Sequence, residues 1–99
     1  MQAVKSENVK KDCIYYAKAK IKGTSDYIFR AMHDGGGYKT FIVNDSYYIT
    51  NSSGFNWPDH ALRFPTTEEA DWLVACEQAG KLVPRPNQIT RVINDYQIY

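Results

Sequence analysis

The sequence predicts an α+β fold, an antiparallel β-meander of about four to five strands packed by one main helix over 66–80 and followed by a short C-terminal helix or strand. Three observations carry that expectation. Apolar and polar residues alternate in short runs between Cys13 and Thr50, turn-type clusters separate those runs, and one complete helix-start signal stands at Thr66–Glu69.

In the first run, CIYYAKAKIK over 13–22, Tyr15, Ala17, Ala19 and Ile21 fall on one face, and Tyr16, Lys18, Lys20 and Lys22 on the other. A helix over 7–22 ended by Gly23 competes with this reading, because lysines suit a last helical turn. The unbroken period of two favours the strand. Gly-Thr-Ser-Asp over 23–26 is a turn. Tyr27 to His33 follows as a second strand, mixed on both sides. Tyr38 to Val43 makes a third, Asn44-Asp45 a two-residue turn and Ser46 to Thr50 a fourth. Asn51 to Asp59 is a polar loop carrying Phe55 and Trp57, and Ala61 to Phe64 adds a short strand. Thr66-Thr67-Glu68-Glu69 is a capping box, and the helix it opens runs to about Ala79, with Gly80 after it. Its apolar arc is broad, so it packs on a sheet or turns part of itself to a partner. Leu82 to Asn87 is a stiff connector. Over 88–99, Ile89, Val92, Ile93 and Tyr96 keep helical spacing, while the β-branched content keeps a final strand in play.

At 99 residues the chain is read as one domain, 1–99, with residues 1–12 allowing a flexible basic arm. A hydrophobic content of 43% suffices for one small core. Eight tyrosines against four phenylalanines suit exposed sheet faces and contact surfaces. With no apolar run of about 18 residues and no apolar N-terminal stretch, the expectation is a cytoplasmic protein with no membrane contact. On that reading the two N-x-S sequons at Asn44 and Asn51 are chance, and Cys13 and Cys76 are reduced thiols. The formal charge of +1 conceals a balance of +4 over residues 1–22 and −3 over the remainder.

The run Asp34-Gly35-Gly36-Gly37 raises a phosphate cradle, which would need a lysine and a hydroxyl directly after the glycines and then a helix. A β-branched and aromatic strand follows instead, so the run is read as a hairpin tip. No nucleophile motif and no metal-binding helix motif is present, so no catalytic residue, metal or cofactor is assigned. His33 and His60 are the residues that titrate near neutrality, and as an acid and base pair they would make a small metal-independent ribonuclease-like enzyme or toxin. Cys13, His33, His60 and Cys76 have zinc-ligand types but lack paired spacing.

Two surfaces stand out. Tyr16, Lys18, Lys20 and Lys22, with Arg30 and Lys39 on neighbouring strands, would form a basic face with a stacking ring, suited to single-stranded nucleic acid. A solvated strand face whose lysines discourage edge pairing explains the same pattern. Tyr38, Tyr47, Tyr48, Phe55, Trp57 and Trp72 are the candidate anchors for a protein partner. An exposed sheet edge or the Trp72 face would also allow a homodimer.

The segment Phe64-Pro65-Thr66-Thr67-Glu68-Glu69-Ala70, a strand end running into a capped helix, resembles a joint of small phage and bacterial accessory proteins. With the compact motif-free build and the tyrosine excess, it resembles in style the phage-encoded inhibitors of host proteins, anti-CRISPR and other counter-defence proteins among them. The resemblance implies a non-catalytic binding protein that occupies a surface of a host or phage protein. It assigns no residue a role.

Overall fold

In the computed structural model, residues 3–52 and 59–85 are described. Their alternating runs become six strands and one helix: β1 (Ala3–Val4), β2 (Ile14–Ala19), β3 (Tyr27–Arg30), β4 (Tyr38–Val43), β5 (Ser46–Ser52), β6 (His60–Arg63) and α1 (Thr67–Ala79), with a 3-10 turn at Ser6–Asn8. All pair antiparallel in one open sheet of order β1-β6-β2-β3-β4-β5. The expected α+β class holds, with one main helix. The meander holds from β2 to β5 and is then broken, because β6 returns to the far side of β2 and β1 adds outside it.

β3, central in the sheet, is covered on both faces, which explains why both of its sides are mixed. Tyr15, Ala17, Phe29 and Leu62 face one side, where Val9 and Ala31 complete a cluster. Ile28 and Ile42 face the other, against Trp72, Leu73 and Cys76 of α1. A strand interior to such a sheet has no polar face to show.

Residues 3–12 carry β1 and the 3-10 turn and are tied to the sheet at Val9. Val9 is fully buried, its carbonyl accepts from the Gly35 amide at 2.8 Å, and the Lys11 amide donates to Asp34 at 2.9 Å. The glycine run is thus a hairpin tip with a partner inside the fold. His33 and Gly36 close it by exchanging backbone hydrogen bonds at 3.2 Å, and Gly35 sits at φ 84°, where glycine is at ease. β2 ends at Ala19, earlier than expected, so Ile21 is 52% exposed instead of inward-facing. β3 likewise ends at Arg30, where the expectation ran on to His33. The expectations for 88–99, and for the loop carrying Phe55 and Trp57, lie outside the described residues.

The helix is tied at both ends of its span. Thr66 accepts from the Glu69 amide at 3.1 Å while Glu69 accepts from the Thr66 amide at 2.8 Å, and Gly80 at φ 72° closes the C-terminus. Arg63 at the end of β6 donates twice to Glu69, at 2.8 and 3.0 Å. At the other end, Arg30 of β3 donates to both oxygens of Glu77 at 2.7 Å, and Thr40 of β4 adds a third bond at 2.5 Å. Burial acts to raise the Glu77 pKa, but the hydrogen bonds from Arg30 and Thr40 prevail and the carboxyl titrates below its ordinary value. For Glu69 the bonds from Arg63 and Thr66 outweigh burial in the same way.

A carboxylate whose folded pKa is depressed contributes stability that is present above the ordinary value of 4.5 and is lost as pH falls through the lowered one. Glu77→Ala leaves Arg30 half-buried without its carboxylate and is expected to cost about 1–3 kcal/mol at neutral pH. The deficit should shrink as the pH drops below that range, read as denaturant midpoints of wild type and variant converging in acid.

Candidate interaction surface

The β4–β5 hairpin turns at Asn44 and Asp45, with φ 51° and 57°. Two consecutive left-handed residues make a type I′ turn, which fixes Val43 and Ser46 as a hydrogen-bonded pair. Antiparallel pairing then alternates: Ser46 and Tyr48 turn their backbone groups to β4, while Tyr47 and Ile49 turn theirs away. Among the described residues, no strand lies beyond β5.

The side chains of β5 follow the pleat. Tyr48, opposite Phe41, stacks on that ring at 5.0 Å and 24° and remains 47% exposed. Ile49, opposite Thr40, projects from the other face, and α1 covers β2, β3 and β4. Ile49 is 71% exposed. Tyr47 is half-buried and packs at the margin of the helix cluster. The strand SYYITNS spans seven residues without a charge or a proline. At the opposite edge, β1 is two residues long. A long edge without charge or proline is the form that other proteins blunt with lysines, prolines or brevity. β4 and β5 shift register between Tyr38 and Thr40, an irregularity that leaves Tyr47 to Ile49 in regular pairing.

Of the expected partner anchors, Tyr47 and Tyr48 lie on this strand. Tyr38 is half-buried, edge-on to Phe41 at 4.9 Å. Trp72 is no surface anchor: it is only 6% exposed, and its indole nitrogen donates to the Val83 carbonyl at 2.5 Å. Its place on the sheet-facing side of α1 makes it a core ring. Phe55 and Trp57 lie outside the described residues. Ile49 was missed by the sequence reading, although an uncharged strand at the end of a meander was the signal for it.

Several members of the expected basic face are engaged with carboxylates. Tyr16 lies beneath the Arg63 guanidinium at 3.8 Å and donates to Asp26 at 2.5 Å. Burial, and then that bond to Asp26, push its phenol up to about 12. Arg30 is held by Glu77, Lys39 pairs with Asp12, and Lys18 lies 3.8 Å from Asp26. Lys20, whose amide still donates to the Asp59 carbonyl at 2.9 Å, and Lys22 are past the end of β2. The cations were legible in the sequence; the carboxylates facing them were not.

His33 and His60 stand at opposite ends of the sheet. Ile14 pairs with Arg30 at one end, near His33, while Ala19 pairs with His60 at the other. They form no acid and base pair. The His60 Nε2 is within 3.0 Å of the Ser25 carbonyl, and the His33 Nδ1 within 2.9 Å of that of Asp34. Cys13 is exposed and Cys76 buried, both as thiols, and burial pushes the Cys76 thiol up. Among the described residues, no three His, Cys, Asp or Glu side chains are placed to hold a metal ion. A cleft of about 440 Å³ on the helix side is lined by Tyr16, Asp26, Ile42, Trp72 and Arg85, among others. Within it Asp26 holds Tyr16 and the Ala19 amide, and Arg85 lies over the Trp72 ring at 4.4 Å. No helix among the described residues is long and apolar enough to cross a membrane.

Comparison with protein-family models, curated proteins and solved structures found no match to this chain.

The two aromatic candidates separate in a stability experiment. Trp72→Ala removes a core ring and is expected to cost about 3–5 kcal/mol, whereas Tyr48→Ala should cost less than about 1 kcal/mol. Urea denaturation of each variant gives both values.

Proposed function

We propose that this protein is a non-catalytic binding protein that occupies a surface of a macromolecular partner through the edge of β5, in the manner of a phage-type inhibitor of a host protein or defence complex. One observation carries the reading: the long edge strand has outward-facing backbone groups at Tyr47 and Ile49 and bears Tyr48 and Ile49 exposed, with no charge to repel a pairing strand. An extended segment added to such an edge gains main-chain hydrogen bonds, while side chains on either face give it selectivity. The internal pairing of Arg30, Lys39 and Lys18 weighs against a nucleic-acid role, since a cation already neutralised by its own carboxylate releases fewer counterions on binding phosphate.

The test is capture from a host-cell lysate by tagged wild type and by the double variant Tyr48→Lys, Ile49→Lys, each with and without nuclease. The expected result is one discrete protein that survives nuclease and is lost with the double variant. Captured material that is nucleic acid, disappears with moderate salt and is indifferent to the β5 changes would refute the proposal.

A further inference from the structure

We infer that the edge of β5 also pairs with itself, so that two copies of this chain join into one continuous sheet about a two-fold axis at Tyr48. The inference rests on the same reading of β5 as an open pairing edge and names a second copy as an occupant.

The register makes the strand self-complementary. The backbone groups of Tyr47 and Ile49 face outward and those of Tyr48 face β4. An antiparallel pair centred on Tyr48 sets Tyr47 against Ile49 of the second copy, and Ile49 against Tyr47 of the second copy. Both are outward-facing positions, so both become hydrogen-bonded pairs and together contribute about four backbone bonds. Tyr48 then meets Tyr48 of the second copy at a non-hydrogen-bonded position, where side chains approach most closely. A register centred on Tyr47 or Ile49 would also bring outward groups together, but it would set the turn residue Asp45 or the irregular stretch beyond Ile49 into the ladder.

The side chains fit the same axis. Tyr48 and Ile49 are the large exposed apolar residues of β5, and they stand at and beside the two-fold. On one face, Tyr48 would extend the Phe41 stack to the Tyr48 ring of the second copy. On the other face, Ile49 would be covered by Tyr47 of the second copy. Only the residue on the two-fold axis meets its own image, so a charge at position 48 would face its like; Tyr48 carries none, and neither does the rest of β5. Pairing one strand edge buries less than the roughly 1,200–2,000 Å² of stable interfaces, so the dimer is reversible and depends on concentration. Because a partner's strand would need the same backbone groups, self-association competes with partner binding.

Sedimentation equilibrium of the full chain over a broad concentration range reads the association directly. The wild type is expected to pass from monomer to dimer, and Tyr48→Lys, which sets two ammonium groups across the axis, to weaken dimerisation at least about tenfold. Tyr48→Glu should do the same. An equimolar mixture of the two variants should restore a heterodimer, which also shows that both are folded. A wild type that stays monomeric throughout, or variants that dimerise as well as wild type, would overturn the inference. Partner capture without self-association refutes the dimer alone; self-association without capture refutes the binding reading alone.

Discussion

An open sheet has to end, and the strand at which it ends keeps half of its backbone donors and acceptors turned outward. In this fold the two edges are treated differently. Among the described residues one edge is the two residues of β1, while the other is the seven-residue β5 with no charge along it. That asymmetry sets the functional reading. The β2 to β5 hairpins place the long strand last, and the return of β6 to the far side of β2 puts the only later described strand at the opposite end of the sheet.

The rest of the described structure stabilises the sheet, and several of its polar groups are engaged in doing so. β2 and β3 are packed on both faces, by the N-terminal segment with Val9 on one side and by Trp72, Leu73 and Cys76 on the other. Glu69 and Glu77 near the ends of α1 each receive a two-pronged arginine, from β6 and β3 respectively. Paired guanidinium and carboxylate groups fix the helix in register with the strands beneath it. The same pairing removes Arg30 from any anion-binding face. What remains available at β5 is backbone, one aromatic ring and one aliphatic side chain.

Much of the fold was legible in the sequence because its signals are local. Tyr38 to Val43 forms the strand its alternation predicts, Asn44-Asp45 turns in two left-handed residues, and Thr66 with Glu69 forms the reciprocal cap. Non-local facts were not legible. Nothing near Ala3 announces a strand, because its partner Arg63 is sixty positions away. The lysine stripe showed period two as far as Lys22, yet β2 ends at Ala19 with one further backbone bond from Lys20 to Asp59, since a strand ends where its partners end. Trp72 was ambiguous because a broad apolar arc on a helix does not say which side meets the sheet. The candidate surface was half legible: Tyr47 and Tyr48 stood out as rings, whereas the exposure of Ile49 depends on how far α1 reaches across the sheet.

Amide hydrogen exchange along β5, followed by NMR in dilute and concentrated solution, tests the central claim that this edge is open in the single chain. The account predicts protected amides at Ser46 and Tyr48 throughout, and fast exchange at Tyr47 and Ile49 in dilute solution that slows as concentration rises. Tyr47 and Ile49 amides that are as protected as Tyr48 at every concentration would mean that the edge is covered within one chain, and would contradict it.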